Sequence, residues 1–167
     1  DILLFLQQAD FVFHLAGINR PINPVEFQSG NVDSTRFIVD ALVDLNRSVP
    51  LVLTSSTQAE DDNDYGVSKC AAEKIVQSYS VATGAASYIY RLPNVFGKWC
   101  KPNYNSFVAT FCNNALSGID NVVHDPNASV RLVYIDDVCA SFLELLNGKA
   151  RSGFQILPVE FNTTVGE

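Results

Sequence analysis

The sequence predicts an α/β protein built on a parallel sheet, on three observations. Short apolar runs rich in β-branched and aromatic residues alternate with longer segments of helical periodicity. Several of those runs end on small or hydroxyl residues, as buried parallel strands do. The chain has 167 residues, 47% of them hydrophobic and 17% charged, enough for one ordinary domain with a real core. Strand–helix–strand alternation then calls for right-handed crossovers.

Ala9 to Gly17 is the first strand, closing on Ala16-Gly17. From Asn31 to Asn46, Val32, Thr35, Ile38, Val39, Leu42 and Leu45 recur at helical spacing. Val49 to Thr54 is a second buried strand. Tyr65 to Thr83 is a helix with Ala71, Ala72, Ile75, Val76 and Tyr79 on related faces, stopped by Gly84. Ala86 to Leu92 is a third strand, followed by a Pro/Gly/Asn-rich loop from Pro93 to Asn105. A helix runs from Ser106 to Leu116, a strand from Val130 to Ile135, and a helix from Asp137 to Leu146, with acids where its dipole favours them. The tail from Arg151 to Glu167 holds one strand, Phe154 to Leu157, and no further pattern.

Charge and composition exclude several functions. Eleven Lys and Arg stand against 18 Asp and Glu, a net charge of −7. That balance argues against nucleic acid and against an anionic membrane surface as partners. No apolar run reaches the ~20 residues that span a bilayer. The opening Asp1-Ile2-Leu3-Leu4-Phe5 is no signal peptide, so a cytoplasmic protein is expected. Cys70, Cys100, Cys112 and Cys139 form no C-x-x-C pair, and neither His14 nor His124 is close to one. Reduced thiols and no metal are the expectation. Glu60 to Asp64, the one charge run, reads as a solvated loop. The chain has no Met and begins inside an apolar segment, which predicts a piece of a longer protein.

In an open parallel sheet, ligands sit at the carboxyl ends of the strands. Ala16-Gly17, Ser55-Ser56-Thr57 and Pro93-Asn94 fall at such ends. Tyr65 and Lys69, four apart on a helix, share a face. A phenol beside an ammonium and a cationic nicotinamide ring has its anion favoured, so its pKa is expected to fall toward neutrality. Such a Tyr can exchange a proton with a carbonyl or alcohol oxygen while hydride moves at carbon. Ser56, nine residues upstream, would hold that same oxygen; Ser55 and Thr57 are the alternative hydroxyls. Tyr-x-x-x-Lys alone arises by chance in roughly one such chain in six. Its order after a Ser/Thr-ended strand and before Arg91-Leu92-Pro93-Asn94 is more specific.

Five motifs in order carry a family resemblance: His14-Leu15-Ala16-Gly17, Thr54-Ser55-Ser56, Tyr65-Gly66-Val67-Ser68-Lys69, Arg91 to Gly97, and Arg131 to Val138. Together they span most of the chain and resemble the extended short-chain dehydrogenase/reductase family of NAD(P)-dependent nucleotide-sugar epimerases, dehydratases and reductases. Phe96 to Ser106 and the short stretch from Ser56 to Tyr65 are similar to the reductase domain of capsular-polysaccharide enzymes in UDP-N-acetyl-L-fucosamine synthesis. The resemblance implies an oxidoreductase that reduces the C4 ketone of a UDP-4-keto-6-deoxy-N-acetyl-amino sugar. NADPH is the implied cofactor, with NAD(H) the alternative, and the longer parent is expected to be a homodimer.

Carried over by resemblance, Tyr65 is the proton donor, Lys69 tunes it and holds the nicotinamide ribose, and Ser56 polarises the ketone. Ala16, Gly17 and Pro93 would line the cofactor with Tyr65 and Lys69. Asn94, Asn105 and Arg131 would bind the sugar nucleotide, Arg131 as a planar fork on the phosphates. Asn94 also reads as a turn residue after Pro93, and Arg131 as a surface strand residue.

The family's Gly-x-x-Gly-x-x-Gly turn is absent from this sequence. The expected fold is therefore a partial Rossmann-like, doubly wound sheet lacking the N-terminal Gly-rich βαβ half. Residues 1–148 would form the C-terminal half of an NAD(P)-binding domain with part of the sugar-binding region, and 149–167 a tail. Two other readings stand beside the reductase: a non-catalytic remnant or assembly module, and an epimerase or dehydratase of the same family.

Overall fold

A computed structural model describes residues 2–148, 150–158 and 160–167. The predicted boundaries at Asp1 and Lys149 and the tail residue Val159 lie outside the described residues. The chain forms two units, residues 1–91 with 149–156, and residues 92–148 with 157–167.

In the first unit, α1 (Ile2–Gln8) leads to the short strand β1 (Val12–His14). A three-residue helical turn α2 (Val25–Phe27) and a π-helical turn (Gln28–Asp33) then run into α3 (Ser34–Asp44). Strand β2 (Leu51–Ser56), a 3-10 turn (Thr57–Glu60) and the long helix α4 (Asp64–Thr83) precede β3 (Ser87–Leu92). The sheet has the order β1-β2-β3-β6, where β6 is Gly153–Gln155; β1 pairs with β2 and β3 with β6, both in parallel. Leu51, Val52 and Leu53 are buried together, so β2 reads as a continuous apolar run and not as an alternation.

The core sits where α3 and α4 cover this sheet: Leu42, Leu51, Leu53, Val76, Tyr79 and Ile89 are buried in one cluster. Tyr79 brings a polar group into it and satisfies that group locally. Its hydroxyl accepts from the Val49 N–H at 2.9 Å and donates to the Val49 carbonyl at 2.8 Å. Helix α4 starts at Asn63, whose side chain accepts from the Gly66 N–H at 2.8 Å, and stops at Gly84 with φ +73°.

The second unit has its own sheet of order β4-β5-β7. Strands β4 (Asn94–Phe96) and β5 (Ser129–Tyr134) are parallel, and β7 (Phe161–Thr164) runs antiparallel to β5. Ser106 caps α5 (Phe107–Ser117) by accepting from the Ala109 N–H at 3.2 Å. Helix α6 (Ile135–Leu146) follows β5 directly, with Asp136 and Asp137 in its first turn.

The α/β class with a parallel sheet is as expected from the alternation. Differences concentrate where partners, not patterns, decide. β1 is shorter than Ala9–Gly17, so Ala16 and Gly17 lie in the exposed segment beyond the strand. β2 runs past Thr54 and carries both Ser55 and Ser56. The expected loop from Pro93 contains β4, and the unpatterned tail contains β7; each takes its order from the β5 ladder. Among the described residues no helix is long and apolar enough to cross a membrane.

Candidate active site

Three of the sequence-predicted site residues meet at the end of β2. The strand ends on Ser56, the 3-10 turn follows at once, and α4 brings Tyr65 in its first turn and Lys69 one turn later. What allows this tight return is Gly66. A Cβ there would stand 2.1 Å from the Gln58 carbonyl oxygen and 2.7 Å from that of Asp61, so only glycine lets α4 lie against the turn.

Ser56 Oγ accepts from the Gln58 N–H at 3.1 Å, which leaves its proton for another acceptor. Ser56 also neighbours the Tyr65 phenol, where its hydroxyl favours the phenolate. The Tyr65 ring is half-buried beside Phe27, with centroids 5.7 Å apart. Burial pushes the phenol above its ordinary value, and the Ser56 hydrogen bond pulls against that rise. The direction expected from the sequence, a fall toward neutrality, is not that of the chain by itself: desolvation of the phenolate outweighs the hydrogen bond.

Lys69 is 6% exposed, and its Nζ donates to the Thr54 carbonyl at 2.7 Å. Burial lowers its pKa to about 8, with Glu73 acting in the opposite sense. Burial of the His14 imidazole, helped by the Lys69 charge, holds that ring below its ordinary value. His14 is a packed strand residue, as its place in an apolar run suggests. The Thr35 hydroxyl donates to the Asn31 carbonyl at 2.6 Å, so it accepts from His14 Nε2 at 2.9 Å.

Asn31 was not singled out by the sequence, yet its side chain joins three parts of this site. Its amide nitrogen donates to the Ile18 carbonyl and to Ser68 Oγ, both at 2.9 Å. Its amide oxygen accepts from the Ile18 N–H at 2.8 Å. Ser68 in turn donates to the Tyr65 carbonyl at 2.7 Å. The segment after β1 is thereby tied to the first turn of α4. Asn31 lies on the π-helical turn, a local widening of the helix that no periodicity rule detects.

Ala16 and Gly17 are exposed in that segment. A Cβ on Gly17 would stand 2.9 Å from Asn31 Oδ1 and 3.4 Å from Lys69 Nζ. Bare backbone next to a cation fits residues that receive the ribose end of a dinucleotide. The sequence offers no Gly-rich turn for the pyrophosphate.

Pro93, Asn94, Asn105 and Arg131 belong to the second unit. Pro93 is buried; Asn94 is exposed, and its Nδ2 donates to the Arg131 carbonyl at 3.3 Å. Arg131, exposed on β5, pairs with Glu160 through NH2 at 2.5 Å. Asn105 is exposed and directly precedes the Ser106 cap.

Comparison with known proteins supplies the context. The NAD dependent epimerase/dehydratase family matches residues 2–156. A UDP-2-acetamido-2,6-beta-L-arabino-hexul-4-ose reductase of Pseudomonas aeruginosa is 46% identical over 164 residues, covering 97% of this chain and 44% of the relative. The crystal structure of the capsular polysaccharide assembling protein CapF from Staphylococcus aureus superposes with a TM-score of 0.85 at 38% identity, covering 99% of this chain and 44% of the other. A UDP-glucuronic acid 4-epimerase from Bacillus cereus, in complex with NAD, has a TM-score of 0.85 at 19% identity over 99% of this chain and 59% of its own, a likeness of fold. The chain thus spans less than half the length of the first two.

Proposed function

Since the chain belongs to the NAD dependent epimerase/dehydratase family, we propose that it carries the proton-transfer residues of a nucleotide-sugar reductase. The reaction is reduction of the C4 ketone of a UDP-4-keto-6-deoxy-N-acetyl-amino sugar, in capsular-polysaccharide precursor synthesis, by the longer protein whose relatives it matches. The observation that carries this reading is the Ser56–Tyr65–Lys69 set at the end of β2. The 46% identity to a hexulose reductase favours reduction over epimerisation or dehydration.

Ala16, Gly17, Tyr65 and Lys69 are the first unit's residues to hold the dinucleotide, with Pro93 assigned to it from the second. NADPH, when bound, supplies the hydride that C4 receives. Ser56 donates a hydrogen bond to the ketone oxygen and draws electron density from C4. Tyr65 gives its proton to that oxygen as the carbon is reduced, so ketone, hydride and proton become a secondary alcohol and a phenolate remains. The Lys69 ammonium lies one helical turn from that phenolate and favours it. The nicotinamide ring, cationic only once its hydride is gone, would favour that phenolate too, against the desolvation that raises Tyr65 in the chain by itself. Asn94, Asn105 and Arg131 are assigned to the UDP-sugar.

The test follows NADPH absorbance in the presence of a UDP-4-keto-6-deoxy-amino sugar, and NADPH and NADH binding by calorimetry. Tyr65→Phe is expected to lower turnover about 10²–10⁴-fold while sparing NADPH affinity. Turnover that survives the substitution, or binding and turnover lost together, overturns the role of Tyr65.

A further inference from the structure

The reaction just described leaves unused an ionic cluster built on a buried carboxylate and joined to the residue before Ser56. Glu73, one turn beyond Lys69 on α4, is 2% exposed, and Arg91 of β3 grips its carboxylate at both oxygens, Nε to Oε1 at 2.9 Å and NH2 to Oε2 at 2.7 Å. Ser55 Oγ donates to the same Oε1 at 2.5 Å. The remaining arm of Arg91 reaches Glu60, the last residue of the 3-10 turn, and its guanidinium lies 4.6 Å over the Phe154 ring. One guanidinium thus ties together α4 and the turn after Ser56, and through Glu73 it also holds the residue before Ser56. A bidentate Arg–carboxylate pair fixes direction as well as distance.

We infer that Glu73 is a positioning residue which selects between the two adjacent serines: by taking the Ser55 hydroxyl it fixes the end of β2 so that Ser56 is the one presented to Tyr65. The inference rests on the proposed reading of Ser56 and Tyr65 and adds to it the reason why Ser55 is not the reacting hydroxyl. Its hydroxyl proton is committed to a carboxylate that is itself locked. Glu73 touches neither phenol nor substrate in this account and acts through the strand.

The discriminating measurement is the titration of the Tyr65 phenol by NMR on this chain with ring-Cζ-labelled tyrosine, the signal assigned with Tyr65→Phe. Ser56→Ala is expected to move that titration upward, because the phenolate loses a donor. Glu73→Gln is expected to move it upward as well, and Ser56→Ala combined with Glu73→Gln no further than Ser56→Ala alone. The direction separates positioning from charge. Removing an anion and freeing Arg91 would by themselves favour the phenolate and move the titration down, and Lys69, titrating near 8, is already neutral there. Should Glu73→Gln fail to fold, Ser55→Ala decides by the same upward shift, since it leaves the Arg91–Glu73 pair in place. An unchanged or lowered titration in the folded Glu73→Gln or Ser55→Ala chain, with Ser56→Ala still raising it, overturns the positioning role and leaves the Ser56–Tyr65 pairing standing. No response to Ser56→Ala overturns the pairing, and the inference with it.

Discussion

Lys69 Nζ donates to the Thr54 carbonyl at 2.7 Å, a bond from the second turn of α4 to the strand two residues before Ser56. The ammonium is thereby a strap as well as a charge. It holds helix and strand together at the point where Ser56 and Tyr65 meet, with Ser55–Glu73 as a second link from the next residue of β2 to the next turn of α4. Two such bonds, the second of them fully buried, tie the end of β2 to α4.

Gly66→Ala tests how closely that junction is packed. On helix propensity alone, alanine in place of glycine would stabilise α4 by about 1 kcal/mol. The new Cβ would stand 2.1 Å from the Gln58 carbonyl oxygen, a backbone atom that cannot swing away. Overpacking against backbone costs about 1–3 kcal/mol and wins. Urea denaturation is expected to show a net loss of stability; a gain would mean that the turn and α4 do not touch.

For Asn31→Ala the expected loss is larger. Three hydrogen bonds go at once, and Ile18 N–H and C=O are left without the side chain that satisfies both. At roughly 1 kcal/mol for each bond, the destabilisation is about 2–4 kcal/mol. Hydrogen exchange should quicken at Ile18 before it does in the centre of α4. Uniform quickening across both would show that Asn31 serves the fold as a whole and not this junction.

How much of this was legible in the sequence differs from residue to residue. Ser56, Tyr65 and Lys69 were readable because strand end, short turn and i,i+4 spacing each have a local signature, and the helix stop at Gly84 was equally plain. Glu73 had a signal that went unused: it stands four residues beyond Lys69, on the same face of an assigned helix. Arg91 sat inside a recognised motif without a role, since the partner that gives it one is 18 residues away. Asn31 was out of reach, because a π-helical turn shifts the register that periodicity relies on. Strands β4 and β7 were missed for a related reason; three or four residues carry too little pattern to be read without their β5 partner. In the chain by itself Tyr65 is shifted upward, because burial of the ring is a property of the packed chain; the expected fall counted a cationic nicotinamide ring beside the phenol.

Tyr79→Phe separates core polarity from core packing. The ring volume stays, and the hydroxyl that serves Val49 at both its N–H and C=O goes. Leaving a buried backbone donor unpaired costs about 1–3 kcal/mol. The thermal midpoint is expected to fall by about 2–4 °C for each kcal/mol lost. A midpoint equal to that of the unaltered chain would mean that water replaces the hydroxyl beside Val49.

The depressed Lys69 ammonium makes stability depend on pH in a defined window. In the folded chain the group titrates near 8, against 10.5 for the ordinary lysine. Between those values the unfolded chain holds a proton that the folded chain has released, so the unfolded state binds more protons and stability rises with pH. Below about pH 8 both states are protonated and the penalty for burying the ammonium is constant. Tyr65 and Tyr79, both pushed above 10.0, act the other way at the alkaline end: there the unfolded chain gives up its phenolic protons first, and stability falls. The rise is therefore confined to about pH 8–10 and amounts to at most about 2–3 kcal/mol. Urea midpoints measured across that range should increase in the unaltered chain and stay flat in Lys69→Met. The substitution gives up the bond to Thr54 but carries no proton, so its effect below pH 8 reports the strap and the difference in slope reports the charge. A slope that persists in Lys69→Met would assign the window to another group and show that Lys69 keeps its ordinary pKa despite its burial.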